Sequence, residues 1–302
     1  METGKLNRKN ITYLTTQEEI DAHQKKVADF EAEMLNKRLF GESPSIFNPI
    51  LSRILVVGCG GTGSWLMPKL AKTINDMKRK RLLAADFKLM LVDGDTVEPK
   101  NLIRQNFVES DIGQNKAEVM ALRYGATMPD IELQYIDKYV SMGPKFDPAH
   151  FVGAGTLAEF TAGGTYKTIV FNLVDNQNAR RAVHSLPMDG WVVDIGNELV
   201  HGQLFASPYG TAAEPEFQRL NFFTMSPETL TTEEEVKVYS CAEADEDVQL
   251  EEQFLVANDT AALVGHNWLC SLMSAPDSVP ARINFTCLPM PQVEVVLKNI
   301  PA

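Results

Sequence analysis

Ile54-Leu-Val-Val-Gly-Cys-Gly-Gly-Thr-Gly63 decides how the rest of the chain is read. Ile54 to Val57 is an apolar, β-branched run of the length of a buried parallel strand. Gly58-Cys-Gly-Gly-Thr-Gly63 follows at once, and Ser64-Trp-Leu-Met-Pro-Lys-Leu-Ala71 then reads as a helix. Strand, glycine turn and helix in immediate succession form a cradle for nucleotide phosphates. Backbone without Cβ atoms turns tightly and lets a ligand approach, while the free N–H groups and positive end of the helix favour anionic oxygens. Gly58, Gly60, Gly61 and Gly63 are the cradle candidates. Glycine spacing of this kind also serves NAD and FAD enzymes, so the flanking residues must choose between chemistries.

Working outward, Phe87 to Val92 reads as a second strand ending at Asp93, where Rossmann-like sheets hold a ribose hydroxyl. The interval from Gly58 to Asp93 is 35 residues, against a usual spacing of roughly 20. About 15 extra residues are therefore expected to lengthen the first helix or its exit loop, and the basic run Lys78-Arg-Lys-Arg81 falls within them. Next come Asp93-Gly-Asp-Thr-Val-Glu-Pro-Lys-Asn-Leu-Ile-Arg-Gln-Asn-Phe107 and Asp111-Ile-Gly-Gln-Asn-Lys116. Thr168 to Val174 reads as a strand running into Asp175-Asn-Gln-Asn-Ala-Arg180, and Gly196-Asn-Glu-Leu-Val-His-Gly-Gln203 as a further strand. In order, these segments resemble the DxDxVExxNLxRQxF, DxGxxK, DNxxAR and G…GQ patterns of the ThiF/MoeB family, the ubiquitin-activating-enzyme-like adenylating enzymes.

The resemblance implies an α/β fold, a Rossmann-like doubly wound sheet that is mostly parallel with an antiparallel C-terminal extension. It implies an adenylation domain over residues 51–302, crossed by a long loop at about 207–240, behind an N-terminal helical arm over 1–50. ATP and Mg²⁺ are the expected cofactors. Arg104 and Lys116 are expected on the phosphates, Asn101 and Gln105 to orient them, Asp93 and Asp95 on the nucleotide side, and Asp175 on the metal. Chemically this set suits acyl-adenylate formation, in which two anions meet and pyrophosphate leaves with growing negative charge. The implied substrate is the C-terminal carboxylate of a ubiquitin-like β-grasp protein.

Cys241, in the loop before the apolar helix that begins near Asp259, is the candidate for a subsequent thioester. A helix N-terminus lowers a thiol pKa, whereas Glu243, Asp245, Glu246 and Asp247 raise it, so catalytic and structural readings both stay open. Cys59, Cys270 and Cys287 read as packed thiols. No CxxC pair is present, so the four-thiolate zinc site of many relatives is not expected. The family's N-terminal RxxRQ-like arginine is also not found, leaving Arg8, Arg38 or Arg53 as substitutes. The glycine turn, the insertion and the NLIRQNF/DIGQNK run look most like the short bacterial ThiF-family proteins of PRTRC-type gene clusters. Such clusters also encode a β-grasp protein, a conjugating-enzyme-like protein and a JAB-type peptidase. A homodimer is expected by the same resemblance.

Composition sets the outer limits. The 302 residues are 44% hydrophobic and 23% charged, enough for a sizeable core. A net charge of -12 argues against phosphate backbones and anionic membranes as general partners. The N-terminus lacks a signal-like apolar core and no stretch is long enough to span a membrane, so a cytoplasmic protein with reduced thiols is expected. Scattered His23, His150, His184, His201 and His266 have no metal-binding spacing. After Thr16, Ile20, Val27, Phe30 and Met34 recur at helical spacing. Alternatives are adenylation of a small carboxylate, a tRNA-modifying dehydratase-type activity without a cysteine intermediate, and a non-catalytic nucleotide-binding partner.

Overall fold

The computed structural model describes residues 50–141, 147–197, 200–210, 255–275, 279–287 and 291–296. The expected N-terminal arm, the crossing loop beyond residue 210 and Cys241 lie outside the described residues.

In chain order the elements are β1 (Leu51–Val57), α1 (Gly61–Arg79), β2 (Leu83–Val92), α2 (Lys116–Gly125), β3 (Glu132–Ile136), β4 (Tyr139–Ser141), β5 (Phe151–Gly153) and α3 (Ala154–Ala162). They continue with β6 (Lys167–Asn172), α4 (Gln177–His184), β7 (Gly190–Asn197), β8 (His201–Tyr209), α5 (Leu255–Ser274), β9 (Arg282–Thr286) and β10 (Gln292–Val296). Two short 3-10 turns, Pro99–Ile103 and Glu109–Asp111, lie between β2 and α2.

One sheet has the order β10-β9-β8-β7-β6-β1-β2-β3. β1 pairs in parallel with β2 and β6, and β3 and β7 continue the parallel half. β8, β9 and β10 are antiparallel. This is the expected doubly wound sheet with its antiparallel extension. β1 is buried along its whole length, which explains a strand apolar on both faces. α1, α2 and α5 contribute to one core with Ile54, Val56, Phe171 and Trp268. α3 and α4 contribute to the other with Leu55, Val57, Val170 and Val192. Each such side chain taken fully out of water stabilises the fold by about 1.5–3 kcal/mol.

The chain runs from β1 outward through β2 to β3, then crosses to β6 and β7 on the other side of β1. That reversal opens a crevice at the carboxyl ends of β1 and β6, where open α/β sheets bind ligands. The parallel sheet thus points the glycine turn after β1 and the loop after β6 at one place.

Several boundaries differ from those read in the sequence. The first helix starts at Gly61 and runs to Arg79, and β2 begins at Leu83, so the extra residues become helix and early strand. The basic run closes the helix: Lys78 pairs with Asp130 at 2.7 Å, Arg79 and Lys80 pair with Asp76, and Arg81 turns the chain at φ 59°. The G…GQ segment is not one strand but the turn region of a hairpin, with Gly196 opposite Gln203 in register. Residues 207–209 belong to β8, because its pairing with β7 continues to Gly190 opposite Tyr209. Among the described residues no helix is long and apolar enough to cross a membrane.

Candidate active site

The four glycines of the turn do different work. Gly58 has φ +96°, and a Cβ there would come within 2.9 Å of the Leu173 carbonyl oxygen at the exit of β6. At Gly63 a Cβ would overlap the Gly58 carbonyl oxygen, and at Gly61 it would lie 2.5 Å from Asn258 Oδ1 on α5. At Gly60 alone of the four a Cβ would meet nothing closer than 3.9 Å. The groups nearest its missing Cβ are the side-chain amide of Gln105 at 3.9 Å and Lys116 Nζ at 4.0 Å. Three glycines therefore shape the turn, and the fourth leaves room between it and two polar side chains.

Gln105 and Arg104 are held there by α1. Pro68 has no N–H to give to the Ser64 carbonyl four residues earlier, an arrangement that normally costs a helix a hydrogen bond. Asn106 Nδ2 donates to that carbonyl at 3.2 Å, and Asn106 N donates to Ser64 Oγ at 2.9 Å. Trp65 Nε1 donates to the Arg104 carbonyl at 3.2 Å, and Arg123 Nη1 to the Asn106 carbonyl at 2.9 Å. The RQN segment is thereby stitched to the helix that carries the glycine turn. Asn101 is almost fully buried; its Oδ1 accepts from Glu98 N at 2.9 Å, and its carbonyl accepts from Gln105 N at 2.9 Å. It shapes the turn that presents Arg104 and Gln105.

On the β2 side, Asp93 Oδ2 accepts from Cys59 N at 2.5 Å and its Oδ1 from Asp95 N at 2.8 Å. Burial, offset in part by Lys116 and reinforced by Asp95, pushes the Asp93 carboxyl up to about 6. Burial, with Asp93 second, also pushes the Cys59 thiol well above the ordinary range, which fits a packed residue. Lys116 Nζ lies 2.8 Å from Asp95 Oδ2, with the two side chains 6% and 22% exposed. Tyr139 OH donates to Asp95 Oδ1 at 2.5 Å, and its ring packs where Gly94 lacks a Cβ. Asn115 caps α2 through Glu118 N and donates to the Asp93 and Asp95 carbonyls at 2.8 and 3.1 Å. This cap fixes Lys116, the first residue of α2, against the acidic turn.

On the β6 side, Asp175 sits exposed in the bend before α4, whose N-cap is Asn176, accepting from Ala179 N at 2.8 Å. Leu173 N donates to the Val57 carbonyl at 2.8 Å, tying the start of that bend to the glycine turn. Behind it Arg180 Nη2 donates to the Val174 carbonyl at 2.7 Å and Nη1 to Asp194 Oδ1 at 3.2 Å. Asp194 also receives Asn172 Nδ2 at 2.7 Å and is bridged by His184 Nε2 at 2.7 Å, whose Nδ1 is 2.5 Å from Tyr209 OH. Arg53, one of three proposed nucleotide arginines, lies early in β1, towards the opposite edge of the sheet. It is engaged by the Ser52, Asp86 and Gly163 carbonyls, which removes it from that role.

The residues fit a nucleotide. Gln105 Oε1 is buried without a partner among the described residues, an atom a polar ligand would satisfy. Asp175 fits a Mg²⁺ held jointly with phosphates, which takes one or two protein carboxylates. Among the described residues no group of three or more His, Cys, Asp or Glu could hold a metal by itself. The residues that sequence reasoning missed are Tyr139, Asn258, Asp194 and the pair Pro68 and Asn106. Of these only Pro68, a proline inside a helical run, carried a local signal.

The ThiF family matches residues 50–207. Among solved structures, PaaA superposes with a TM-score of 0.54 at 14% identity, covering 96% of this chain and 86% of that one. E. coli MccB with ATP superposes at 0.52 and 15% identity, covering 94% and 79%. E. coli MccB with AMPCPP and MccA gives 0.52 at 14%, covering 96% and 82%. At such identities the likeness is one of fold. Among curated proteins no sequence matches. A family match over more than half of the chain, on the strands and turns that build this crevice, makes the protein a member of the ThiF family.

Proposed function

We propose that the protein is an ATP-dependent adenylating enzyme that activates the C-terminal carboxylate of a ubiquitin-like β-grasp protein. The observation that carries the reading is the convergence of Lys116 Nζ and the Gln105 amide on Gly60, at the sheet's reversal point. The coarse part, ATP-dependent adenylation, is supported by family membership and by MccB structures determined with ATP and with AMPCPP. The β-grasp substrate, a dimer and a thioester on Cys241 are the finer part and rest on the sequence resemblance.

In this reading the carboxylate oxygen forms a bond to the α-phosphorus, the bond from that phosphorus to the bridging oxygen breaks, and pyrophosphate departs with the electron pair. Lys116 and Arg104 lower the barrier by lying against the charge that grows on the phosphates. Lys116 is held on Asp95 before the triphosphate arrives, so its aim is set in advance at no cost in reorganisation. Asp93 and Asp95 face the ribose hydroxyls, Gln105 completes its amide on the phosphates, and the N–H groups at the start of α1 bind their oxygens. Asp175 would hold Mg²⁺, which when bound supplies further positive charge to the phosphates. The acceptor's body would rest on the antiparallel extension. There a hollow of about 350 Å³ is lined by His201, Gln203, Arg282, Asn284 and Glu294, among others.

A second reading, with a peptide or small carboxylate as acceptor, is supported by the MccB structures that contain MccA. ATP–pyrophosphate exchange with a β-grasp protein added or withheld, followed by a non-reducing gel, tests both. Carrier-dependent exchange with a thiol-sensitive adduct is the expected result. Carrier-dependent exchange without an adduct removes the thioester, and exchange that appears only with a peptide or small carboxylate replaces the first reading with the second. No exchange with any acceptor overturns adenylation.

A further inference from the structure

α5 lies wholly beyond the residues matched by the family, yet one of its side chains reaches into the site. Asn258 is 2% exposed. Its Nδ2 donates to the Arg104 carbonyl at 3.2 Å, and its Oδ1 accepts from Asn197 Nδ2 at 3.1 Å. Asn197 Oδ1 in turn accepts from Thr62 Oγ1 at 3.1 Å. The same Asn258 Oδ1 occupies the space a Cβ on Gly61 would need. Next to it Asp259 pairs with Lys69, about two turns further along α1, at 2.5 Å. One amide thus joins α5, the end of β7, the second residue of α1 and the backbone of Arg104.

We infer that Asn258 is a positioning residue for the phosphate end of the nucleotide site: it sets where Arg104 and the first turn of α1 stand relative to one another. The inference rests on the adenylation reading. Arg104 and the N–H groups of α1 are the two groups expected on the phosphates, and they come from segments 40 residues apart. The Arg104 carbonyl accepts two side-chain donors, Trp65 from α1 and Asn258 from α5. Trp65 holds that carbonyl from the α1 side and Asn258 from the α5 side. Asn is suited to the position because it must give a proton to a carbonyl and accept one from another amide within the gap that Gly61 leaves. An aspartate of the same size can do only half of this and would set a negative oxygen against the Arg104 carbonyl.

The test uses the full chain with Asn258→Ala and the nearly isosteric Asn258→Asp, so that one well-folded variant suffices. Affinities for ATP and for adenosine are read by displacement of a fluorescent ATP analogue, beside a melting curve. The expected result is a fall of about tenfold in ATP affinity for Asn258→Ala, and a larger one for Asn258→Asp, with adenosine affinity within about twofold of the unaltered chain. A residue that merely supports the fold would weaken both ligands together, and that outcome, or unchanged affinity for both, overturns the inference alone. An unaltered chain that binds neither ligand overturns the adenylation reading and the inference with it.

Discussion

Two acidic clusters stand at the carboxyl edge of the same sheet, built from nearly the same parts. After β2, Asp95 holds Lys116 and receives Tyr139 OH. On β7, Asp194 holds Arg180 and His184, and His184 meets Tyr209 OH. The first leaves Asp95 22% exposed, with its partner Lys116 Nζ turned to Gly60, whereas the second seals Asp194 at 1%. Composition therefore says little about role. A cation next to a carboxylate is available to a ligand only where the backbone leaves room for one. Where Arg180, His184 and Asn172 close round a carboxylate sealed from water, the cluster fixes the shape of the loop that carries Asp175.

The sharpest way to break this contrast is Asp194→Ala. It leaves Arg180 buried without its counter-charge and is expected to destabilise the protein by about 3–5 kcal/mol, read as a shift of the denaturant midpoint. Unchanged stability would mean the sealed cluster is not scaffold. Lys116→Ala should do the opposite. Exchange falls by about 10²–10³-fold, while the midpoint moves less than for Asp194→Ala, since Asp95 is 22% exposed and keeps the Tyr139 hydroxyl as a partner. A loss of folding instead would merge the two clusters into one class. Asp175→Ala, at an exposed position, is expected to abolish Mg²⁺-dependent exchange with an unaltered melting curve, and retained exchange removes it from the metal role.

A smaller effect belongs to Asp93. Its folded pKa of about 6 lies above the unfolded value of about 3.9, so between those values the folded state binds more protons than the unfolded one. Its contribution to stability is full below about pH 4 and is lost as pH rises to about 6. Raising pH across that window should therefore lower the stability of the unaltered protein relative to Asp93→Asn, with no further change above it, measured by denaturant titrations at several pH values. Smallest is Tyr139→Phe, which keeps the ring on Gly94 and removes one hydrogen bond to Asp95. A rise of a few-fold in the KM for ATP with kcat unchanged is expected.

What the sequence disclosed follows the same division. The glycine turn, Asp93, the RQN segment and Lys116 were legible because each lies in a local pattern with fixed offsets from a strand end. Asn258 and Tyr139 were not. Each is an ordinary residue on an ordinary element and acquires its place from a contact across 154 or 44 positions of chain. The exact helix start was missed for a physical reason too, since Gly61 opens α1 against propensity and is kept small by Asn258. Pro68 sits inside that helix because Asn106 supplies a donor to the Ser64 carbonyl. The sealed Asp194 cluster was not legible because, although Arg180 and His184 lie four residues apart on α4, only the packing of α4 against β7 brings them to Asp194.

The tie between Arg104 and Asn258 also bears on timing during synthesis. A ribosome would release every recognisable motif of this protein, from Gly58 to Gln203, well before α5 emerges. Contacts of such sequence separation form late, because the intervening chain must first be drawn together. A nascent chain would therefore display the whole family signature while still lacking the clasp that α5 supplies.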